Sequence, residues 1–197
     1  MLTEIMFKKL AYLFEFIDFD KGGYVEKTDW EPCAHNLASL RDWEPDSAEY
    51  NAIISKHVDI WTNNWLPADM DGDGRVSQAE YLDLADQLQN GTASTNEENA
   101  EATAAGKKSS LDQLYDLFGA IFDNIDRDRD GKIKLHDYKD YFKAWGVNEN
   151  LADEPFSSID LNGDGSVGQM SFVQYGTNFF ISDDENEFGT LLFGPLE

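Results

Sequence analysis

The sequence is poor in cysteine, histidine and basic residues, and each shortage narrows the classes of protein that it can specify. Among 197 residues there is one cysteine, Cys33, so an intrachain disulfide is excluded. The 15 lysine and arginine residues are outnumbered by 39 acids, which gives a formal net charge of −24. Because nucleic acids and anionic membranes attract basic patches, we expect neither as a partner.

Several motifs are also missing. Glu4, Lys8 and Lys9 interrupt the apolar residues at the start of the sequence, so we expect neither a signal peptide nor a membrane span there. Without a signal or a disulfide, the expected location is the cytoplasm. The three histidines lack metal-ligand spacing such as HExxH, and no glycine-rich phosphate loop follows a strand. We therefore expect no enzymatic activity.

What the sequence does contain is a repeated unit. Four acidic, glycine-bearing loops start at Asp18, Asp69, Asp126 and Asp160, and apolar residues recur at threes and fours in the flanking segments. The unit helix–acidic loop–helix thus occurs four times. With 41% hydrophobic and 13% aromatic residues, the chain can bury a sizeable core. The predicted fold class is all-α, and strand-forming, β-branched residues occur only as short stretches inside the loops.

One segment differs sharply from its surroundings. Residues 91–110, GTASTNEENAEATAAGKKSS, contain no aromatic residue and no Val, Ile, Leu or Met. This composition is typical of a flexible linker. It divides the chain into residues 1–90 and residues 111–197, and each half carries two of the acidic loops.

The second loop, DMDGDGRVSQAE, has the pattern of a calcium site. Such a twelve-residue loop offers Ca²⁺ side-chain oxygens at positions 1, 3 and 5, a carbonyl at 7 and an acid at 12, with glycine at 6 for a sharp turn. The second loop meets each requirement. Its predicted ligands are Asp69, Asp71, Asp73, Glu80 and, through its carbonyl, Arg75.

The third loop, DRDRDGKIKLHD, is similar but ends in a shorter acid. Its predicted ligands are Asp126, Asp128, Asp130, Asp137 and, through its carbonyl, Lys132. Lys134 at position 9 cannot coordinate, so we expect a water there. The aspartate at position 12 predicts either a weakened Ca²⁺ site or a site that Ca²⁺ and Mg²⁺ share, since Mg²⁺ demands six-fold geometry. We favour the shared site.

The first loop, DFDKGGYVEKTD, is less complete, because Gly22 at position 5 offers no side-chain oxygen. Glu26 at position 9 can compensate directly or through a water. We expect this loop to bind metal. Its predicted ligands are Asp18, Asp20, Glu26, Asp29 and, through its carbonyl, Tyr24.

The fourth loop, DLNGDGSVGQMS, is the weakest candidate, because Gly168 and Ser171 leave positions 9 and 12 without a carboxylate. Affinity should fall by orders of magnitude, since ligand charge tunes these sites. We expect mainly a scaffolding role, in which Val167 pairs with Ile133 as Val76 pairs with Val25. Any weak binding would use Asp160, Asn162, Asp164, Ser166 and Ser171.

These loops resemble those of the EF-hand superfamily and, more narrowly, the sarcoplasmic calcium-binding proteins of invertebrates. FIDFDKGGYVEKTDWE resembles the first hand of that family, and PFSSIDLNGDGSVGQMSFVQYGTNFF resembles the fourth. The ending NFFISDDENEFGTLLFGPLE is similar to the family's C-terminal tail. The resemblance implies four EF-hands in two pairs packed into one compact globule. It also implies a cytosolic, sarcoplasmic Ca²⁺/Mg²⁺ buffer with about three working sites.

The predicted function is therefore buffering of divalent cations by a monomer with no obligatory protein partner. Two alternatives remain open. One is a Ca²⁺ sensor that binds a target helix, although the chain has only four of the methionines that such adaptable surfaces use. The other is a carrier of a small molecule, like the luciferin-binding proteins and photoproteins, with the ligand held in the aromatic core.

Overall fold

A computed structural model describes residues 2–93 and 110–196 of the chain. Of the predicted linker, residues 94–109 lie outside the described residues. The described helices are α1 Glu4–Ile17, α2 Lys27–Leu40, α3 Ala48–Ile60, α4 Gln78–Ala93, α5 Ser110–Ile125, α6 Leu135–Ala144, α7 Asp153–Ile159 and α8 Gln169–Ile181. The described strands are β1 Tyr24–Glu26, β2 Arg75–Ser77, β3 Lys132–Lys134 and β4 Ser166–Gly168. In this part of the chain, no helix is both long and apolar enough to cross a membrane.

The strands are the inner segments of the four acidic loops, and they join the loops in pairs. β1 pairs with β2 in antiparallel orientation, with Val25 opposite Val76. β3 pairs with β4 in the same way, with Ile133 opposite Val167. All four of these side chains are buried. The predicted pairing of the loops is confirmed, and so is the all-α class, in which each pair is two helix–loop–helix units.

The helix before the second loop ends differently from the sequence expectation. The apolar residues Ile53, Ile54, Val58, Trp61 and Trp65 predict one long helix. Instead, α3 ends at Ile60 and continues as a π-helical turn, Trp61–Trp65. A short 3₁₀ turn, Leu66–Ala68, follows and contains Pro67, which has no N–H to continue a helix. The wider turn leaves both tryptophans buried in the core.

The two halves share one core, which is largely aromatic. Phe16 of α1 contacts Phe142 of α6 edge-on, with ring centroids 5.2 Å apart. Trp30 of α2 contacts Trp145, which directly follows α6, at 5.0 Å in the same geometry. Aromatic pairs in such arrangements prefer offset or edge-to-face contacts. The predicted compact globule is confirmed.

The C-terminal tail completes this core. Leu192 and Phe193 are buried, and the hydroxyl of Tyr138 donates a hydrogen bond to the carbonyl of Leu192. The ring of Phe193 contacts Phe16 at 5.6 Å and Phe179 at 5.2 Å between centroids. The tail therefore joins α1 of the first half to α6 and α8 of the second.

Candidate metal-binding loops

Carboxylates cluster in three of the four loops. Within the described residues, three groups of acids each place one oxygen per residue within 4.8 Å of the others. The groups are Asp18 with Asp20 and Asp29, Asp69 with Asp71 and Asp73, and Asp126 with Asp128 and Asp130. Charged oxygens are the ligands that Ca²⁺ and Mg²⁺ prefer. The structure thus brings together nine of the predicted ligands in three sets.

The glycine at position 6 shapes every loop in the same way. Its φ is +80° to +85°, a left-handed conformation that favours glycine. In this conformation its N–H donates to the position-1 carboxylate, at 2.9 Å in the first, second and fourth loops and 3.0 Å in the third. The four donors are Gly23, Gly74, Gly131 and Gly165. The other oxygen of the position-1 aspartate has no hydrogen-bond partner among the described residues in the third and fourth loops, whereas in the first two it accepts from backbone N–H groups.

The acid at position 12 closes each of the first three loops onto its exit helix. Asp29 accepts from the N–H of Phe19 at 3.0 Å and from that of Glu26 at 2.7 Å. Glu80 accepts from the N–H of Met70 at 3.1 Å and from Ser77. Asp29 and Glu80 therefore connect the start of their loop to the first turn of the exit helix. Asp137 accepts from the N–H of Lys134, just before its helix. Position 12 is set in place by hydrogen bonds made within the protein.

Two buried oxygens of the third loop lack a hydrogen-bond partner within the described part of the chain. They are Oδ1 of Asp126 and Oδ1 of Asp137, at positions 1 and 12, although Nε2 of His136 lies 3.2 Å from Oδ1 of Asp137. A buried carboxylate oxygen without a partner is costly, whereas a bound cation would compensate for the lost hydration. Burial also raises the pKa of Asp137 and of Asp29. The donor set and these oxygens fit a divalent cation.

Lys134, at position 9 of the third loop, forms ion pairs with two aspartates of that loop. The ammonium of Lys134 lies 2.7 Å from Oδ2 of Asp130 and 3.1 Å from Oδ2 of Asp128. The hydrogen bond from Lys134 lowers the pKa of Asp128. Sequence reasoning missed this contact, and the four-residue spacing of Asp130 and Lys134 does not indicate it, because the segment between them is loop and strand rather than helix. A divalent ion held by both aspartates would compete with this ammonium.

The first loop contains Asp18, Asp20 and Asp29 but does not bring Glu26 into that group. Oε1 of Glu26 instead accepts from the hydroxyl of Thr28 at 2.8 Å. Gly22 at position 5 donates its N–H to Asp18 and Asp20. The backbone of this loop therefore has the shape of the others, and its ligand set has three carboxylates in place.

The fourth loop is held mainly by its own side chains. Asp164 accepts from the N–H and the hydroxyl of Ser166 at 2.9 and 2.7 Å, and Nδ2 of Asn162 lies 3.2 Å from its other oxygen. Oδ1 of Asp160 is buried without a partner within the described residues, as Asp126 is. Ser171 is exposed and has no carboxylate to offer. The position-1 oxygen resembles that of the third loop, but the lack of an acid at position 12 favours a scaffold over a strong cation site.

One substitution isolates the second loop. We expect Glu80→Gln to weaken Ca²⁺ binding there about 100-fold, because ligand charge and bidentate closure tune affinity over orders of magnitude. Titration against a chelator of known affinity measures the change. Asp83→Asn is the matched control, since it removes one exposed acid from the same helix outside the loop. Equal effects of the two changes would show that net charge, not ligation, sets the affinity.

Family comparisons agree with this geometry. A family model described as an EF-hand domain pair matches residues 106–145 and 143–177, and one described as an EF hand matches residues 68–85. These matches include the second, third and fourth loops. The sarcoplasmic calcium-binding protein of Perinereis vancaurica tetradentata is 26% identical over 194 residues, which cover 98% of this chain and 99% of that protein.

Solved structures share the whole fold. A sarcoplasmic calcium-binding protein from amphioxus aligns with a TM-score of 0.71 and 18% identity, over 99% of each chain. The coelenterazine-binding protein from Renilla muelleri, in its Ca-loaded apo form, aligns with a TM-score of 0.69 and 21% identity, over 99% of this chain and 100% of that one.

The fold and the loops are those of a four-hand calcium-binding protein, and EF-hand family models match residues 68–85, 106–145 and 143–177. The predicted resemblance to the sarcoplasmic calcium-binding proteins is confirmed by sequence similarity along the full length. The predicted ion is Ca²⁺, which EF-hand loops of this pattern bind.

Proposed function

We propose that the protein is a Ca²⁺/Mg²⁺ buffer that binds ions in its first three loops. The observation that carries the proposal is the set of three carboxylate groups, each with an acid at position 12 of its loop. Each of these acids accepts a hydrogen bond from the backbone N–H of the residue just before its exit helix. The fourth loop pairs with the third through β4 and serves the fold. The ligands are those predicted from the sequence, with Asp29, Glu80 and Asp137 closing the cages.

The proposal of a buffer rather than a sensor is supported by the way in which the core is packed. A sensor exposes an apolar, methionine-rich groove when Ca²⁺ binds. Here Met70 in the second loop and Met170 in the first turn of α8 are largely exposed, while Met6 is buried against the shared core. Aromatic contacts between the halves and the docked tail would have to break before a groove could open.

Mg²⁺ enters the proposal through the first and third loops. Both have aspartate at position 12, and the shorter arm favours monodentate, six-fold coordination, which suits Mg²⁺. Mg²⁺ that occupies these loops at low Ca²⁺ concentration would then have to dissociate before Ca²⁺ could bind. We further propose that the protein acts as a cytoplasmic monomer without an obligatory partner or an enzymatic activity. Its two halves would be 1–90 and 111–197, joined by the linker 91–110.

Calorimetric titration with Ca²⁺, with and without millimolar Mg²⁺, tests the buffer. We expect a stoichiometry of three in both conditions, and a weaker apparent Ca²⁺ affinity with Mg²⁺ at the first and third loops. A stoichiometry of two would remove the first loop from the account. Strong Ca²⁺-dependent binding of a dye for apolar surfaces would favour the sensor instead.

A small-molecule carrier is the second candidate, and one observation bears on it. A cavity of about 110 Å³ lies between the two halves, and its lining includes Trp30 and Tyr81. Within the described residues, the indole N–H of Trp30 and the hydroxyl of Tyr81 are buried without hydrogen-bond partners. Pockets for drug-sized ligands measure about 300–1,000 Å³. The cavity is small for that purpose, so a chromophore that co-purifies with the protein would be needed to support the carrier.

A further inference from the structure

The exit helix of the first hand holds the third hand at both ends. Nδ2 of Asn36, on α2, donates to the carbonyl of Ala144 at the end of α6, at 2.9 Å. Arg41, which directly follows α2, donates through Nη2 to the carbonyl of Ile125 at 3.2 Å and to that of Asn124. These two carbonyls end α5. Both helices that flank the third loop are therefore capped from the other half of the chain.

Arg41 is a buried charge with a directed contact. Its exposed fraction is 7%, and its guanidinium lies 5.1 Å from the centroid of the Trp43 ring. Burial lowers the pKa of Arg41, while the carboxylates of Asp137 and Asp126 act in the opposite direction. Those two acids hold positions 12 and 1 of the third loop. The guanidinium is therefore an electrostatic neighbour of the loop as well as a hydrogen-bond donor to the helix before it.

We propose that Arg41 is a positioning residue of the metal site in the third loop, supplied by the first hand. The inference rests on the proposed function, because it assumes that the third loop binds Ca²⁺. Asp126 follows Ile125 directly, so the two hydrogen bonds from Arg41 fix the backbone from which the position-1 ligand projects. The last carbonyls of a helix have no hydrogen-bond partner within the helix. A cationic side chain at that end donates to these carbonyls and interacts favourably with the helix dipole.

Two effects of Arg41 on the ion oppose each other, and they predict opposite results. The positive charge of Arg41 repels a divalent ion. If this repulsion were its only effect, removing the charge would strengthen ion binding. Its hydrogen bonds hold the loop in the binding geometry, so removing them would weaken binding. Mutation of a group that orients a metal ligand without touching the ion typically weakens metal affinity about 10–100-fold. The directed contact with two carbonyls leads us to expect a loss.

The test measures each loop separately in the full-length chain. The amide signals of Gly131 and Gly74 in ¹⁵N-labelled protein report the third and second loops, because each donates to its position-1 aspartate. In titrations with chelator-buffered Ca²⁺, we expect Arg41→Met to weaken the third loop about 10-fold or more and to leave the second unchanged. Arg41→Lys, which keeps the charge and a single donor nitrogen but changes its position, should give a smaller loss at the same loop.

The matched control is Lys56→Met. Lys56 also joins the halves near the end of α5, but through an exposed ion pair with Asp123 at 3.0 Å. This change should leave both loops unaffected. Equal or tighter binding at the third loop in Arg41→Lys and in folded Arg41→Met would overturn the inference. If Gly131 of the unaltered protein did not respond to Ca²⁺, the proposed function would fail instead, which keeps the two failures distinct.

Discussion

Removal of Ca²⁺ by excess EDTA is expected to lower the melting temperature by about 25 °C or more. A site saturated at 1,000 times its dissociation constant adds about 4 kcal/mol to the free energy of unfolding. Three such sites add about 12 kcal/mol, and in a chain of this size each kcal/mol shifts the melting temperature by about 2–4 °C. Calorimetric melting scans with Ca²⁺ and with EDTA measure the difference.

The physical reason lies in the clustered acids. The chain has a net charge of −24, and three sets of carboxylates are held with oxygens within 4.8 Å of one another. Without divalent ions these groups repel, and one oxygen of the buried Asp126 has no hydrogen-bond partner within the described residues. Added KCl is the control, since it screens repulsion without filling the loops. If KCl restored the melting temperature as fully as Ca²⁺ does, specific binding would not be the cause.

Phe193→Ala is expected to lower the free energy of unfolding by about 3–5 kcal/mol, the range for truncating a buried aromatic side chain. Phe193 is 3% exposed and contacts rings on α1, α5 and α8. The substitution therefore leaves a cavity where the two halves and the tail meet. Denaturant unfolding in saturating Ca²⁺ measures the loss with the metal contribution held constant.

Phe188→Ala supplies the comparison. This phenylalanine is in the same tail but is 50% exposed, and its ring contacts only that of Tyr175 among the described aromatic pairs. We expect a loss of no more than about 1 kcal/mol. A loss for Phe193→Ala as small as that for Phe188→Ala would mean that the tail does not stabilise the core through Phe193.

The loops were predictable because all candidate ligands of one loop lie within twelve consecutive residues. The spacing of Asp69, Asp71, Asp73 and Glu80 fixes which oxygens can reach one ion, and the glycine at position 6 fixes the turn. The pairing of Val25 with Val76 followed from the same repeat. A twelve-residue pattern thus carried both the fold of each hand and the identity of its candidate ligands.

Contacts between distant segments could not be predicted in this way. Arg41 is 83 residues from Asn124 in the sequence, and nothing local to either residue indicates that the helix before the third loop is capped from α2. The docking of Leu192 against Tyr138 depends on how the halves pack. The ion pairs of Lys134 were missed for another reason. Its inability to ligate a metal was considered, but its ability to bind the neighbouring aspartates was not.

The central claim is that the first three loops bind Ca²⁺ and the fourth does not at comparable concentrations. The most direct measurement follows the amide signals of Gly23, Gly74, Gly131 and Gly165 during one Ca²⁺ titration, because each glycine donates to the position-1 aspartate of its own loop. We predict that the first three signals shift as three equivalents are added and that Gly165 stays unchanged. A shift of Gly165 together with the others, or no shift of Gly23, would contradict the account.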